Sequence, residues 1–505
     1  MLGVAPLAMV AALLIGCESE PVDQPFTTDL RIDGVEPPED GTPDRVQSSD
    51  PQMCVTTAGV VYVMWMDDRL NLERDIMWMN RSLSQGDPDT WLPTPARINQ
   101  GDGRVFNPQM ICDDNGVYVV WEDDRDGELE NHNIYYQRSN DGETWLTEDV
   151  RVEDDPEGLS YSVSPQLAID GNGELYVAYA NNESGSYDIK LQTSGDAGDS
   201  WREPNRVDED GVGDAWSGRP SLGVSEDGRH VWVAWEDTRD GKSDIYFNYS
   251  QRSGSGFEGE ERIDLGDVDG EYESFEPQVC TDGAQNIYVV WHDARGGDGY
   301  DVYYQYSGNL GGTFLPTAQR LETDTPGFGN SLYPKCVANG AQLHVTWYDD
   351  RFEGYDVFYR RLTQGLPDAP EIRVDAGTPE GFANSLEATI ARYDQTVAIA
   401  WQDGRAEAEV TGTTGTATGG GSFGYEDLYY NYTEGAAFDE EADYRIDSLL
   451  PGQSYKVGLE IAVLGGELYA AWEDGRGGSS DIYFQRHLLG EQGTPPPVEE
   501  EGEEQ

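Results

Sequence analysis

Eight copies of one strand-rich unit predict an all-β chain folded as an eight-bladed β-propeller of four-stranded antiparallel blades, closed by an N-terminal strand. Three observations carry this. A pattern reading roughly P-Q-x-x, then Y-V-x-W-x-D-x-R, then D-I-Y-Y returns along 505 residues. Trp65, Trp121, Trp235, Trp291, Trp347, Trp401 and Trp472 mark its period, with Tyr179 standing in once; six of the seven steps are 54 to 58 residues and the last is 71. The outer strand missing from the last unit is found near the N-terminus.

Taken in order, residues 1–16 read as an export signal. Val4 to Ile15 is apolar but shorter than the roughly 20 residues a membrane-spanning helix needs. Leu14-Ile15-Gly16-Cys17 resembles the lipobox of bacterial lipoprotein signals, which implies cleavage before Cys17 and lipidation of its thiol. No Lys or Arg precedes the apolar run, a departure from that pattern; an ordinary secretory signal with a chance Cys is the alternative. Glu18 is not the Asp that can retain lipoproteins at the inner membrane, so the outer membrane is the expected destination, periplasmic or surface-exposed. Residues 17–28 form a polar tether, 29–490 the propeller, and 491–505 an acidic, Pro- and Glu-rich tail expected to be disordered.

Within each unit four strands, a to d, are legible. In the second, Pro108-Gln109-Met110-Ile111 is a short apolar run ended by the turn Asp113-Asp114-Asn115-Gly116. Val117 to Trp121 follows, rich in β-branched and aromatic residues, then a polar loop and Asn133 to Arg138. The d strand is an Arg followed by an aliphatic residue: Arg97, Arg151, Arg206, Arg262, Arg320, Arg373 and Arg445. No copy follows Asp481-Ile482-Tyr483-Phe484, whereas Leu30-Arg31-Ile32-Asp33 is one. An unpaired edge is costly, so this segment is expected to fasten the ring.

The net charge is −65 and only Lys190, Lys242, Lys335 and Lys456 are lysines. Such a surface repels phosphate backbones and argues against nucleic acid as a partner. Solvation in a salty habitat and cation binding both account for it; the spread of acids over every unit favours the first. Cys54, Cys112, Cys280 and Cys336 lie on a strands of neighbouring blades, 1 with 2 and 5 with 6. In an exported protein they are candidates for two interblade disulfides, with buried free thiols as the alternative.

The turns between c and d carry a second signature. Ser194-Gly195-Asp196-Ala197-Gly198-Asp199-Ser200-Trp201 fits S-x-D-x-G-x-[ST]-[WF]; Ser307 to Phe314, Ser139 to Trp145 and Ser250 to Phe257 are altered copies. The chain thus resembles the Asp-box, or bacterial neuraminidase repeat, group of sialidase-like propellers over essentially its whole mature length. In that group the boxes are structural turns, Asp and Ser capping local N–H groups. Its active members have six blades and use an Arg triad, a Tyr–Glu nucleophile pair and an Asp acid/base. Their first Arg usually sits in [FY]-R-I-P; the nearest string here, Leu30-Arg31-Ile32-Asp33, lacks the Pro, and no catalytic residue can be carried over.

Asp67 and Arg69 recur as Asp123 and Arg125, Asp237 and Arg239, Asp293 and Arg295, Asp349 and Arg351, Asp403 and Arg405, and Asp474 and Arg476. Seven copies of a catalytic pair make no sense. They read as ion pairs that stitch strands or blades. Blade 3 has Asn181-Asn182-Glu183-Ser184 instead, marking either a site or drift. Asp124, Asp126 and Glu128, and Asp237, Asp240 and Asp244, are hard-oxygen strings that admit Ca2+ without matching a known loop. The five His are scattered, and no motif requires a cofactor.

The b–c and d–a loops share one face of a propeller. The d–a loops carry aromatics of changing identity, Phe106, Tyr161, Trp216, Phe275, Tyr333 and Phe382, with Arg219 as a lone cation; Ala406 to Tyr425 is a long Gly- and Thr-rich insertion over the same face. Aromatic rings beside carboxylates suit sugar stacking, while plugging the gaps between blades is the structural alternative. Trp216, Arg219, Tyr161, Phe275 and Tyr333 are therefore the candidate ligand residues. The expected function is a lipid-anchored envelope propeller that binds a glycan or an envelope or extracellular protein. A sialidase-type exo-glycoside hydrolase and a structural subunit of an envelope assembly are the alternatives.

Overall fold

A computed structural model describes residues 29–34, 46–70, 76–125, 131–153, 155, 160–405, 426–435, 438, 443–449, 452–476 and 478–490. Cys17, the tether, Asp126, Glu128, the insertion at 406–425 and the acidic tail lie outside the described residues. The rest is an all-β ring of eight antiparallel sheets. In blade 2 the strands are Val105–Asp113 (a), Gly116–Asp123 (b), Asn133–Ser139 (c) and Val150–Arg151 (d), paired in that order. The a strand of each blade packs against those of its two neighbours, and that of blade 8 (Lys456–Leu464) against that of blade 1 (Ser48–Val55), so the ring closes around a central channel.

The b strands are buried along nearly their whole length; Trp65, Trp121, Trp235, Trp291, Trp347, Trp401 and Trp472 are fully buried, as is Tyr179 in the place of the eighth. Each apolar layer lies between two blades. For example, Val120 and Tyr136 of blade 2 pack with Val177 and Tyr179 of blade 3. Burying both faces of every sheet in this way explains the near-continuous apolar runs.

Blade 8 takes its outer strand from the N-terminus. Leu30 pairs with Phe484 and Arg31 with Tyr483, antiparallel, and the Ile32 N–H donates to the Ile482 carbonyl at 3.0 Å. Ile32 joins the core between blades 8 and 1. The Arg31 guanidinium pairs with Asp481 at 2.6 Å. Asp29 pairs with Arg476 at 2.7 Å and accepts from the Ser448 N–H at 2.9 Å, which ties blade 8 to the chain leaving blade 7.

Blade 6 adds one detail, a two-residue strand Leu366–Pro367 on the end of its c strand. Neighbouring a strands meet at Cys54–Cys112 and Cys280–Cys336, which the structure bridges as disulfides with Cα separations of 6.0 and 6.2 Å. The c–d turns are closed by their own side chains. Ser194 Oγ donates to Asp196 Oδ1 at 2.7 Å, and Asp196 accepts the Ser200 N–H at 2.9 Å. The Ser200 hydroxyl, donating to Asp196 Oδ2 at 2.6 Å, together with these bonds holds the Asp196 carboxyl at about 2, and Trp201 seals the interface edge-on to Tyr136 of the preceding blade at 5.4 Å.

Candidate functional site: the channel mouth

The a strands do not begin at the P-Q pair, as their apolar runs suggest. They begin about three residues earlier, at Val105 rather than Pro108 in blade 2, and carry a bulge at the Pro. In all eight blades one residue of this bulge has positive φ: Asp50 (49°), Asn107 (46°), Ser164 (55°), Arg219 (48°), Glu276 (53°), Tyr333 (49°), Glu387 (49°) and Gly458 (62°). In six blades Pro follows, and its missing N–H suits the unpaired place. Left-handed backbone is uncommon for residues other than Gly and costs of order 1–3 kcal/mol each. The bulges lie where the a strands enter the channel, on the face of the b–c and d–a loops. A bulge re-aims its side chain, and here it sets eight blade-specific positions around the channel mouth.

A second ring supports the first. The residue after each b-strand Trp (or Tyr179) is Met66, Glu122, Ala180, Glu236, His292, Tyr348, Gln402 and Glu473. Three of its carboxylates hold the bulge of the next blade. Glu122 Oε1 accepts the Ser164 N–H at 2.7 Å and Glu236 Oε1 the Glu276 N–H at 2.8 Å. Glu473 accepts a backbone bond from Asp50. Glu122 also takes Asn107 Nδ2 at 2.6 Å and faces His132 Nδ1 at 2.9 Å.

Around the mouth the character changes with the blade. Arg219 is half exposed, and its Nη1 donates to both oxygens of buried Glu236 at 3.2 Å. Burial raises the Glu236 carboxyl, opposed by the Glu276 N–H and by Arg219; burial likewise raises Glu276, opposed by Arg219 and Lys335. Blades 5 and 6 hold an aromatic cluster. His292 lies 5.8 Å from Phe275, 5.4 Å from Tyr300 and 5.7 Å from Tyr333. Tyr333 stacks on Tyr348 at 5.6 Å, and Tyr355 stands edge-on to Tyr348. Burial pushes His292 down to about 4, so its imidazole is neutral at pH 7. Tyr333 is 45% exposed, which leaves its ring available to a ligand. Blades 7, 8 and 1 are acidic. Glu473 is raised by burial and also by the charges of Asp50 and Glu387.

The sequence candidates are thus partly brought together. Phe275 and Tyr333 meet in the aromatic cluster, and Arg219 neighbours it through Glu276. Phe106, Phe275 and Tyr333 sit inside a strands rather than on loops. The Trp216 indole covers Gly218, where a Cβ would come within 2.3 Å of it. Tyr161 lies in another sector, close to Tyr187. The sequence reading does not single out the second-ring residues Glu122, Glu236, His292 and Tyr348, or Glu276 and Glu387 of the first. Their signal was available as the one variable position in each W-x-D and each x-P-Q string.

The repeated Asp–Arg pairs are structural. Asp237 accepts from Trp235 Nε1 at 3.1 Å and from the Arg239 N–H at 2.9 Å, while the Arg239 guanidinium covers the Tyr246 ring at 4.1 Å. Such Arg residues also reach an acid just before the d strand of their own blade, as Arg125 does with Asp149 at 2.7 Å. That acid in turn caps backbone of the preceding blade, Asp149 accepting the Gln100 N–H at 2.9 Å. In blade 3 Lys190 supplies the cation from the c strand, at 3.0 Å from Glu183, so the irregularity there keeps the charge rather than opening a site.

The described members of the calcium strings do not converge. Asp124 pairs with Arg104 at 2.7 Å, Asp237 belongs to its Trp–Arg box, Asp240 accepts from the Tyr246 hydroxyl at 2.8 Å, and Asp244 pairs with Arg262 at 3.2 Å. Asp188, Asp208 and Asp210 do cluster, and the Arg206 guanidinium bonds all three. A cavity of about 590 Å3 lies on the opposite face, between turns of blades 3 to 5 that include Asn172, Asp227 and His230. Its walls are turns bonded to one another, such as Gly171 N–H to the Glu226 carbonyl at 2.9 Å, so the mouth is the better candidate.

No family model matches the chain, and no curated protein does either. Solved structures are similar at low identity. The polysaccharide lyase Uly1 is 11% identical with a TM-score of 0.47, over 88% of this chain and 99% of that one. The α-L-arabinofuranosidase Arb93A from Fusarium graminearum is 14% identical with a TM-score of 0.41, over 78% and 97%. A protein of unknown function from Dyadobacter fermentans is 14% identical with a TM-score of 0.38, over 74% and 93%. Likeness at this level carries no activity from one chain to another.

Proposed function

We propose that the protein is a binding propeller whose channel mouth recognises a carbohydrate, and that it is exported and lipid-anchored through Cys17 at the cell envelope. One observation carries the binding site. Seven non-Gly residues of differing chemistry hold the same left-handed backbone around the mouth. A bulge needed only for folding would favour Gly or Asn at each copy; keeping Arg, Glu and Tyr there at a conformational cost favours a role for the side chains. The exposed Tyr333 ring beside carboxylates has the mixed apolar and polar character that sugars need. The anchor rests on the lipobox-like string, and the two disulfides agree with an oxidising compartment.

A hydrolase of the sialidase type keeps one observation in its favour. Glu236 and Glu276 are both raised carboxyls at one blade interface, and paired carboxyls are what glycoside hydrolysis employs. Against it, Arg219 is the sole Arg of the two rings, and it is engaged by Glu236. The test is a glycan array followed by turnover assays on fluorogenic sialosides and aryl glycosides. We expect a glycan hit without turnover, weakened by more than about 1 kcal/mol in Tyr333→Ala or Trp216→Ala. Turnover abolished by Glu236→Gln or Glu276→Gln would replace the binding reading with the enzyme. A blank array would favour a structural subunit.

A further inference from the structure

We infer that the saccharide bound at the mouth carries free amines, as a glucosamine oligomer does, rather than being neutral or acidic. The inference rests on the carbohydrate-binding reading and narrows its ligand.

The charges of the two rings lead to it. The one guanidinium, Arg219, is bonded to Glu236, and beyond that pair the rings hold Glu122, Glu276, Glu387, Glu473 and Asp50. Lys335, on the channel wall, lies near Glu276 but is shared with Glu460. Three of these five carboxylates form one arc, since Glu473 feels both Asp50 and Glu387. A sialoside or uronide entering here would meet more negative than positive charge; an ammonium would meet the reverse.

The aromatic arc next to it points independently to a ligand. His292 is 6% exposed, and its Nδ1 finds no hydrogen-bond partner among the described residues. Buried polar atoms are rarely left this way. Its ring lies among Phe275, Tyr300 and Tyr333, and a neutral imidazole nitrogen accepts a hydrogen bond from an ammonium or a hydroxyl. Glu276 and Glu387 both act electrostatically on Tyr348, which stacks on Tyr333, so carboxylates flank the rings. An amine beside an aromatic face also gains cation–π attraction. A sugar ring laid on Tyr333 with its amine toward Glu387 would use both arcs.

The test is calorimetry at about 0.15 M NaCl with trisaccharides of glucosamine, N-acetylglucosamine, galacturonate and glucose. The glucosamine trimer should bind at least about tenfold tighter than the other three, and the preference should fade as alkaline pH discharges its amines. Glu387→Gln should weaken it by at least about fivefold, and Tyr333→Ala by more than Tyr333→Phe, which keeps the ring. Asp227→Asn, on the opposite face, should leave affinity unchanged and so controls for general attraction to a chain of net charge −65. Equal or tighter binding of the N-acetylated or glucose trimer would overturn the amine inference and spare the binding reading. No binding by any of the four would overturn the amine inference, leaving the wider reading to the array. Glucosamine binding indifferent to Glu387→Gln and Tyr333→Ala would show diffuse attraction and overturn the inference.

Discussion

A mature chain that starts at Gly34 should lose its fastening. It would lack Ile32, which is 3% exposed in the core between blades 8 and 1, and the two ladder pairs with Phe484 and Tyr483. It would remove Asp29 from Arg476 and Arg31 from Asp481, whose carboxylate is 1% exposed. Two contacts into blade 1 would also go: Asn80 Nδ2 donates to the Ile32 carbonyl at 2.8 Å and Arg69 to the Asp33 carbonyl at 2.9 Å. Losing a buried Ile side chain costs about 2–5 kcal/mol, and stripping one partner from a buried ion pair about 3–5 kcal/mol. Local relaxation recovers part, so the loss should be about 5–8 kcal/mol. Denaturant titration with Trp fluorescence measures it, and limited proteolysis should cut the deleted protein first within blade 8. A synthetic peptide spanning 26–34, added in trans, should restore both readouts. An unchanged unfolding midpoint, with no new cleavage in blade 8, would refute the closure.

Three other outcomes are expected. Burial lifts Glu153 and Glu322 to about 8 and Asp244 to about 7, above their unfolded values near 4; these groups bind protons in the fold that the unfolded chain has released, so stability should fall as pH rises from about 4 to 8, and a melting temperature higher at pH 8.5 than at pH 5.5 would contradict this. Replacing both Cys54 and Cys112 by Ser should cost about 2–4 kcal/mol, given a 58-residue separation, as read by urea unfolding of reduced and oxidised samples. Cys17→Ser should abolish incorporation of a fatty-acid analogue and release the protein in soluble form; equal labelling of the variant and the parent would exclude the anchor.

The architecture was legible because repetition amplifies weak signals. One W-x-D-x-R string is ambiguous, but seven at a near-constant step are not. The closing strand was legible because Arg31-Ile32-Asp33 matched a d strand that the C-terminal end lacked. The mouth was read less well. Its aromatics are recognisable as blade-specific, yet Pro277 and Pro334 look like strand starts, which places Phe275 and Tyr333 on loops. Pro inside an inner strand is tolerated only at a bulge, and eight bulges with positive φ are a backbone fact that side-chain patterns do not reveal. Glu122 and Glu236 were hidden for the opposite reason. Their side chains cap the next blade in space, 42 and 40 residues away along the chain.

The central claim is that the ring of left-handed residues is where this propeller meets its ligand. A crystal structure of the mature protein soaked with a glucosamine trisaccharide tests it most directly. We expect sugar density at the channel mouth, one ring against Tyr333 and an amine within hydrogen-bond distance of Glu387 or Glu276. Density only in the cavity beside Asn172 and Asp227 on the opposite face, with the mouth empty, would contradict the account.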